Sequence, residues 1–592
     1  MFQQEQQTIE TRIEAFCAEN EIPFSGMKWG AIPFNGEWGI STSFFQLAAN
    51  ETRAGKGKGL PVPQRAVEMA EQAKAHIGSA PGISRVEAVK GYLNLYFSTA
   101  EYASRVVNAV IAEGERFGAG APKGERVMVE FSQPNTHKAF HVGHLRSAIL
   151  GDALARIEAF AGFDVVRANY PGDMGLHVIK WLWNYKKNHS EQEPDTDITN
   201  WMGQVYADAS RRLEEDPDLE ADVRQVYGLW DKRDPSIVAL WQKTRQWSLD
   251  GFNQMYDALD IRFDKYYFNS EEEEAGKKIV EDLIRRGIAQ DDRSSGGAVY
   301  VKIDELLGLT KEQYRTAVVL RSDGTALYAT EDLALVLHKF RDYPDLTRAI
   351  YIVDVRQSLH FTQVFKILEI AGYEQAKKCV HVPYELVTLP GNVVMSSREG
   401  AVVLLEDLIR EAISRAYAVV KEKNADLSEE QMQAVARAVG LGALKYPILA
   451  RDNARLVTFD WQSALDFNGQ AAPYIQYAHV RCNSILRKAG VSSANLPVST
   501  FEYALDPAEV QLIDLISRFP AEVQRAATEY KPLVMTSLAY ELARAFNDFY
   551  TVCPVIQAEA AVRDGRLRLV AAARQALANA LGLLGITAPD VM

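Results

Sequence analysis

Residues 126–152 read RVMVEFSQPNTHKAFHVGHLRSAILGD and contain the change of pattern that decides the fold. RVMVEF is an apolar run of strand length, and a polar turn separates it from a segment with helical periodicity. One helical stripe is formed by Leu145, Ile149, Ala153 and Ile157. Gly162 follows where a helix often ends, and DVVRANY then predicts a second short strand. This strand–helix–strand unit indicates a parallel sheet with a right-handed crossover.

The region downstream continues the alternation of strands and helices. AVVLRSDGTALYAT predicts a hairpin whose turn is Asp323-Gly324. TEDLALVLHKF predicts a helix with Thr330 as its N-cap. Residues 348–354 predict another buried strand, and the helix after them is expected to end before Gly372. The centre of the chain is therefore predicted to be a doubly wound α/β domain.

The two flanks have different patterns, so we predict three domains. Residues 1–118 mix helical and strand signals, and the Gly-, Ala- and Pro-rich segment 117–125 is typical of a linker. From about residue 430 almost every segment has a helical period. We expect an α+β domain at 1–118, a Rossmann-type parallel-sheet domain at 119–430, and an all-α domain at 431–592.

Composition bounds the class of protein. The chain has 592 residues, 47% of them apolar and 24% charged, as in an ordinary soluble protein. No apolar run approaches the roughly 18 residues that a membrane span needs, and the N-terminus lacks signal-peptide features. The four cysteines form no CxxC pair, so we expect no structural zinc, no disulfide framework and a reducing cytoplasm. The net charge of −13 disfavours indiscriminate nucleic-acid binding but permits a shaped RNA that meets a local basic face.

Two histidines, His141 and His144, stand around Gly143 where the first central strand gives way to a helix. Open α/β sheets bind ligands beyond the carboxyl ends of their strands, where a helix N-terminus attracts anions. Imidazoles at this place can donate hydrogen bonds to phosphate oxygens as negative charge develops. The tetrapeptide alone also allows a zinc site or core histidines. Because no further Cys or His cluster supplies zinc ligands, we predict no metal site.

The longer stretch around these histidines resembles the HIGH region of class I aminoacyl-tRNA synthetases, and the arginyl-tRNA synthetase family in particular. The family pattern is an acid, Ser-x-Pro-Asn, and then Lys-x-x-His-x-Gly-His-Leu-Arg. Its elements here are Glu130, Ser132, Pro134, Asn135, Lys138, His141, Gly143, His144, Leu145 and Arg146. The resemblance implies that His141, Gly143 and His144 bind ATP, which is used with Mg²⁺.

Residues 393–409, VVMSSREGAVVLLEDLI, resemble the KMSKS loop of this class in a degenerate form. Met395, Ser396 and Ser397 match the motif and are assigned by resemblance to ATP binding. Val394 stands where the first lysine would be, which puts the usual role of the loop in doubt.

Lys138 is the candidate replacement for the missing lysine. Many members of the family lack that lysine and are thought to use one just upstream of the HIGH motif, and Lys138 matches that position. An ammonium three residues before His141 could reach the same phosphates. The resemblance thus makes Lys138, His141 and His144 the candidate catalytic residues, with an ordinary surface lysine as the alternative for Lys138.

An arginine pocket needs carboxylates for the guanidinium and an aromatic wall. LYATEDLA and VDVRQSLHFTQ resemble two substrate segments of the family, in addition to the end of the first strand. The arginine-binding candidates implied are Glu130, Ser132, Asn135, Tyr328, Asp332 and Gln357. The alternatives are strand packing for Tyr328 and helix N-terminal charge for Asp332.

NYPGDMGLH resembles the family segment Gly-Asp-Trp-Gly-x-Gln, with Met174 in place of Trp and His177 in place of Gln. Asp173 and Gly175 are retained. We expect this turn beside the substrate.

Two further segments indicate contact with tRNA. FNGQAAPYIQYAHVRCNSILRK resembles the first helix of the family's anticodon-binding bundle, in which Tyr474, Tyr477 and Arg481 follow 3–4 spacing and could stack on unpaired bases. GYLNLYF resembles a segment that contacts a D-loop base, and Tyr92 and Asn94 share one face of its strand. For Tyr474 and Tyr477 the alternative is packing inside the bundle. For Tyr92 and Asn94 the alternative is a purely structural strand.

The resemblance covers nearly the whole chain and implies an arginyl-tRNA synthetase activity. Such an enzyme forms arginyl-adenylate from L-arginine and Mg²⁺-ATP, transfers arginine to the 3′ end of tRNA(Arg), and needs tRNA for the first step. We expect a cytoplasmic monomer with no membrane association. The alternatives are a sister synthetase, another HxGH nucleotidyltransferase and a non-catalytic tRNA-binding paralogue.

Overall fold

The computed structural model of the chain describes residues 3–56, 58–140, 142–389, 393–394, 404–492 and 495–592. Contacts between Cα atoms divide the chain into two units. The first unit comprises Met1–Phe117, Ala478–Phe519 and Glu541–Asn579. The second comprises Gly118–Tyr477, Pro520–Tyr540 and Ala580–Met592.

The N-terminal part of the first unit is an antiparallel sheet covered by helices. Its strands are β1 (Trp29–Ala31), β2 (Gly39–Ser43), β3 (Ile83–Val89) and β4 (Tyr92–Phe97), in the order β1-β2-β4-β3. Its helices are α1 (Gln3–Glu19), α2 (Phe45–Arg53), α3 (Val62–Ile77) and α4 (Thr99–Glu113). Leu93 and Leu95 of β4 are buried against these helices, while Tyr92 is exposed. The side chains of β4 therefore alternate between a buried and a more exposed face, as expected from Tyr92 and Asn94 sharing one face.

The second unit is built on a five-stranded parallel sheet. Its strands are β5 (Arg126–Glu130), β6 (Asp164–Asn169), β7 (Lys265–Tyr266), β11 (Leu346–Asp354) and β12 (Cys379–Tyr384), in the order β12-β11-β5-β6-β7. Helix α5 (Val142–Phe160) connects β5 to β6, and Gly162 follows it with a φ of +103°. From β5 the chain continues to β6, which pairs with one edge of β5, and β11 later pairs with the other edge. The strand order therefore reverses at β5. A crevice for a ligand is expected at the carboxyl ends of β5 and β11.

A helical insertion separates β6 from β7. Its helices are α6 (Leu176–Asn184), α7 (Ile198–Glu215), α8 (Glu220–Asp231) and α9 (Pro235–Ala258). Their core is aromatic and includes Trp181, Trp183, Trp230 and Trp241. The insertion therefore has a hydrophobic core of its own, and it follows the end of β6 along the chain.

Further helices and a small sheet belong to the same part of the second unit. The helices are α10 (Asn269–Arg285), α11 (Ile303–Leu306), α12 (Tyr328–Asp342) and α13 (Ser358–Ile370). The strands are β8 (Gln290–Asp291), β9 (Val299–Lys302) and β10 (Thr316–Leu320), in the order β10-β9-β8. Helix α13 ends before Gly372, as expected.

The segment between β10 and α12 corrects two expectations. The turn does lie at Asp323-Gly324, but the expected second strand of the hairpin is reduced to one bridge between Leu320 and Ala326. Helix α12 begins at Tyr328, so the prediction of Thr330 as N-cap was wrong. The Thr330 hydroxyl accepts a hydrogen bond from the Leu327 amide from inside the first turn and donates to the Val319 carbonyl. The threonine therefore caps the helix from its third position, which the residue pattern does not distinguish from an N-cap.

The C-terminal region is helical, as predicted. Its helices are α14 (Leu405–Lys423), α15 (Glu429–Leu449), α16 (Trp461–Ala464), α17 (Ala472–Lys488), α18 (Pro507–Glu529), α19 (Leu533–Val552) and α20 (Ala560–Leu583). Three short strands, β13 (Val387–Leu389), β14 (Val393–Val394) and β15 (Val457–Thr458), pair in the order β14-β13-β15. In the part of the chain that the structure describes, no helix is long and apolar enough to cross a membrane. The division at residues 118 and 430 stays a prediction.

Candidate functional site

The turn between β5 and α5 has an unusual backbone that neighbouring side chains hold in place. Ser132, Gln133 and His137 have φ angles of +78°, +42° and +59°, in a region that non-glycine residues rarely adopt. The Ser132 amide donates to Ser147 Oγ at 2.9 Å, and the His137 amide donates to Ser248 Oγ at 2.9 Å. These bonds fix the turn over the carboxyl end of the sheet.

Ser132 lies under this turn in a buried polar network. Its hydroxyl is 2.7 Å from Tyr256 Oη, which also accepts a hydrogen bond of 2.9 Å from Asn169 Nδ2. Burial raises the pKa of Tyr256, so the phenol stays neutral. The Ser132 hydroxyl therefore links the end of β5 to Tyr256 of α9, and through Tyr256 to Asn169 of β6.

Asn135 joins the turn to the segment that follows β6. It forms a parallel bridge with Gly172, and the Thr136 amide donates to the Gly172 carbonyl at 2.9 Å. A Cβ atom on Gly172 would lie 2.4 Å from Asn135 Oδ1. A side chain at 172 would therefore force the Asn135 amide to move from its present position.

Glu130, the last residue of β5, is buried and has a partner at each carboxylate oxygen. Lys339 Nζ donates to Oε2, and Gln133 Nε2 donates to Oε1 at 3.1 Å. Lys339 is completely buried on α12, with its ammonium 3.9 Å from the centre of the Tyr351 ring. Lys339 was not among the site residues predicted from the sequence. Its only signal was a lysine within the apolar stripe of a predicted helix.

Tyr328 and Asp332 lie one turn apart at the start of α12. The Tyr328 ring is 68% exposed, so strand packing is excluded for it. Asp332 Oδ2 is 2.5 Å from His360 Nε2 of α13. Gln357 precedes α13 at the end of β11 and is exposed.

Carboxylates of β5, α10 and α12 affect the charge of one partly buried phenol, that of Tyr170. Burial, and then the charges of Asp332, Glu331, Glu130 and Glu272, raise the pKa of Tyr170 well above its ordinary value. We refer to Glu130, Glu331, Asp332, Tyr170 and Tyr328 as the acid pocket. Its charge and its aromatic side chains suit a long organic cation.

The Gly-Asp-Met-Gly turn is held by a buried carboxylate. Asp173 accepts from Arg245 Nη1 at 2.9 Å and from the amide and hydroxyl of Ser270 at 3.0 and 2.7 Å. Trp241 Nε1 of α9 donates to the Asp173 carbonyl at 2.9 Å. Asp173 therefore ties the turn to α9 and to the start of α10.

Lys138 is close enough to His177 to lower the pKa of its imidazole. Burial, and then the positive charge of Lys138, lower the pKa of His177 to about 3, so this imidazole is neutral. Lys138 is half-buried, and its ammonium lies 5.1 Å from the centre of the Tyr206 ring.

The residues predicted to bind ATP are only partly described. Gly143 and His144 lie in the first turn of α5, and the His144 ring stacks on Phe140 with centroids 5.2 Å apart. His141, Met395, Ser396 and Ser397 lie outside the described residues. Among the residues that the structure describes, no group of three or more His, Cys, Asp and Glu side chains could hold a metal ion.

In the first unit, Tyr92 and Asn94 lie on β4. Tyr92 is 47% exposed and contacts the Phe45 ring edge-on. Asn94 Oδ1 accepts a hydrogen bond of 2.6 Å from Ser41 Oγ. Tyr92 thus presents a ring to solvent, while the Asn94 oxygen is already engaged within the sheet.

The three candidates on α17 have different surroundings. Tyr474 packs near Tyr540, with ring centroids 5.5 Å apart, as expected for a residue inside the bundle. Tyr477 is 40% exposed. Arg481 donates to Asn547 Oδ1, and its guanidinium is 5.2 Å from the centre of the Tyr550 ring. Tyr477 is therefore the most accessible aromatic candidate of the three.

Comparisons with known proteins agree with this architecture. The family model described as "tRNA synthetases class I (R), catalytic domain" matches residues 106–461, and the one described as "DALR anticodon binding domain" matches residues 475–592. The arginine–tRNA ligase of Bdellovibrio bacteriovorus is 35% identical over 90% of this chain and 89% of its own length. That of Chloroflexus aggregans is 35% identical over 91% of this chain and 92% of its own length.

A solved structure extends the similarity to the whole fold. Thermus thermophilus arginyl-tRNA synthetase superposes with a TM-score of 0.75 at 28% identity, covering 99% of this chain and 100% of that chain. The class I catalytic model covers more than half of the chain, and the relatives match over nearly all of it. The chain therefore belongs to the arginyl-tRNA synthetase family of class I aminoacyl-tRNA synthetases.

Proposed function

We propose that the chain is a cytoplasmic, monomeric arginine–tRNA ligase. It activates L-arginine with Mg²⁺-ATP, transfers arginine to the 3′ end of tRNA(Arg), and needs tRNA for the activation step. The observation that carries the proposal is the acid pocket, in which Asn269 joins Glu331 to Tyr170 and Asp332 lies one turn from Tyr328, in a chain of this family. A pocket with several carboxylates selects a substrate that carries a positive charge.

The arginine side chain is proposed to enter the acid pocket. Asp332 faces its guanidinium, Tyr328 covers it, and Asn135 with Gln357 orients the α-ammonium and carboxylate. Glu130, whose carboxylate is paired with Lys339, contacts the substrate from the end of β5. Support comes from the position of Tyr328 and Asp332 one turn apart at the start of α12 and from the exposure of Tyr328. Ser132 contributes by holding the turn that carries Asn135.

Activation is a displacement at the α-phosphorus of ATP. The arginine carboxylate attacks, the bond to the β-phosphate breaks, and pyrophosphate leaves with its Mg²⁺. The helix N-terminus at Gly143, with His141 and His144, stabilises negative charge on the phosphate oxygens. Met395, Ser396 and Ser397 are proposed to bind the nucleotide, by family resemblance.

Lys138 is proposed to stabilise the leaving pyrophosphate. Its ammonium is half-buried beside the neutral His177, and we expect it to approach phosphate from there. In the second step the terminal hydroxyl of tRNA attacks the arginyl carbonyl, and AMP leaves.

The tRNA is proposed to contact both ends of the chain. Tyr92 and Asn94 of the domain at 1–118 meet the D-loop, and Tyr474, Tyr477 and Arg481 of the domain at 431–592 meet the anticodon. The match of the DALR family model to residues 475–592 supports the second contact. It also disfavours a nucleotidyltransferase that acts without tRNA, because such an enzyme has no use for this domain.

ATP–pyrophosphate exchange with each amino acid, with and without tRNA(Arg), tests the proposal. We expect exchange with arginine only, and only when tRNA(Arg) is present, together with charging of tRNA(Arg). Exchange that depends on lysine would indicate a sister synthetase. Binding of tRNA without exchange or charging would indicate a non-catalytic paralogue. Arginine-dependent exchange without tRNA would contradict the tRNA requirement alone.

A further inference from the structure

Glu331 shares one face of α12 with two residues assigned to the arginine pocket. Tyr328, Glu331 and Asp332 are spaced i, i+3 and i+4, which places neighbouring side chains on the same side of a helix. Glu331 is therefore a near neighbour of the ring that is proposed to cover the substrate.

A buried amide holds the Glu331 carboxyl in place. Asn269 Nδ2 donates to Glu331 Oε2 at 2.6 Å and to Tyr170 Oη at 2.7 Å. Asn269 is the first residue of α10 and is itself buried. The partner of Glu331 is thus a neutral group, which orients the carboxyl without balancing a negative charge.

The other acids nearby each have a cationic or ionisable partner. The pairs are Glu130 with Lys339, Asp332 with His360, Glu272 with His338, Asp173 with Arg245, and Glu273 with Lys277. Among the ion pairs of the described residues, none includes Glu331. Burial is the main cause that raises the pKa of Glu331 to about 8, opposed by the Asn269 hydrogen bond and assisted by Asp332, Glu273 and Asp173.

We propose that Glu331 is a further specificity-determining carboxyl of the acid pocket, neutral in the empty site and ionised when the guanidinium of arginine binds. The proton leaves to solvent buffer, and the guanidinium supplies the cationic partner that Glu331 lacks among the described ion pairs. This inference rests on the proposed function. It adds a reason for selectivity, because a neutral isostere such as citrulline cannot stabilise the ionised form of Glu331.

A nearby cation lowers the pKa of a carboxyl by about 1–3 units. At pH 7.5 arginine should therefore displace up to about one proton per molecule bound, and its affinity should rise with pH until about pH 8. The groups that face Glu331 are Tyr328 and Asp332 of α12, Glu273 of α10, and Tyr170 with Asp173 of the segment after β6.

Isothermal titration of the full chain with arginine tests this inference. At pH 7.5, the binding enthalpy measured in phosphate, HEPES and Tris gives the number of protons released. We expect about half a proton to one proton for the wild type and at least a twofold smaller release for Glu331→Gln. This variant should also bind arginine on the order of 10-fold more weakly, and its preference for arginine over citrulline should fall.

Glu274→Gln is the matched control, because Glu274 is an exposed acid of α10 and should leave proton release unchanged. Wild-type binding without proton release, or full release by Glu331→Gln, overturns the inference while arginine charging still supports the function. If Glu331→Gln does not fold, Asn269→Ala decides. Loss of its hydrogen bond should raise the pH midpoint of arginine binding, and an unchanged midpoint would contradict us. Failure of the wild type both to bind and to charge arginine counts against the proposed function itself.

Discussion

At the scale of single residues, the carboxylate of Asp332 is held by a histidine of the neighbouring helix. His360 Nε2 is 2.5 Å from its carboxylate, and the two residues belong to adjacent helices, α12 and α13. A carboxylate held in this way keeps one rotamer, so less conformational entropy is lost when substrate binds. His360 thus acts through Asp332 as a positioning residue.

Replacing His360 with alanine should raise the KM for arginine on the order of 10-fold and change kcat less, since a hydrogen bond to a charged group is lost. His360→Gln keeps an N–H donor and should recover much of the affinity. Aminoacylation rates at varied arginine concentration measure both effects. Equal loss of activity in the alanine and glutamine variants would argue that His360 has a packing role only.

Lys138 provides a second prediction at the residue scale. Lys138→Ala should lower tRNA-dependent ATP–pyrophosphate exchange on the order of 100-fold, because a charged contact made in the transition state is removed. Lys138→Arg keeps the charge and should retain more activity. Lys123→Ala is a suitable control, since Lys123 lies in the linker and bonds Gln524. Near-normal exchange by Lys138→Ala would remove Lys138 from the catalytic set.

At the scale of elements, the contact between α10 and α12 sets the geometry of the acid pocket. Gly276 of α10 lies against the backbone of Thr330, and an added Cβ would lie 2.2 Å from the Thr330 carbonyl oxygen. Asn269 and Glu331, which are hydrogen-bonded to each other, lie on the same two helices. Any separation of the helices must therefore disturb this bond.

Gly276→Ala should destabilise the protein by about 1–3 kcal/mol, because the backbone of α12 must move away. It should also raise the KM for arginine. Gly228→Ala in α8 is the matched control, since no atom lies within 4 Å of the added Cβ. There alanine should be neutral or stabilise by roughly 0.5–1 kcal/mol. Urea unfolding of both variants checks this, and equal effects would refute the packing argument.

At the scale of the whole molecule, the core of the second unit contains an acid whose charge costs stability. Glu158 of α5 is completely buried, and its Oε2 is 3.4 Å from Arg348 Nη2 of β11. Burial raises the pKa of Glu158 to about 7, against the opposing charges of Arg348 and Lys123. The folded protein therefore binds this proton more tightly than the unfolded chain does, and stability falls as pH rises from about 4.5 through 7.

Glu158→Gln should remove this loss. The free energy of unfolding should increase relative to the wild type by on the order of 1–3 kcal/mol at pH 8. It should change little at pH 5. Arg348 retains a hydrogen bond of 2.8 Å to Tyr530 Oη in the variant. Urea unfolding at the two pH values measures the difference. A variant with the same effect at pH 5 and pH 8 would show that Glu158 is not the titrating group.

The sequence by itself determined the fold class, the family and the positions of the motif residues. Residues 126–152 combine an apolar run with a helical stripe, and such periodicity depends only on neighbours along the chain. The same locality limits the prediction of ends, since Thr330 caps α12 from inside its first turn and no pattern of residue types separates that from an N-cap.

Only the tertiary structure decided how the pocket charges are paired. Lys339 and Glu130 are 209 residues apart in the sequence, and Asn269 and Glu331 are 62 apart. These partners meet because β5, α10 and α12 pack together at the carboxyl end of the sheet. Spacing along the chain carries no information about such contacts, and burial changes the charge of each group. The sequence thus supplied the acids of the pocket, while the packing decided that Glu130 is paired with a lysine and that Glu331 has a neutral partner.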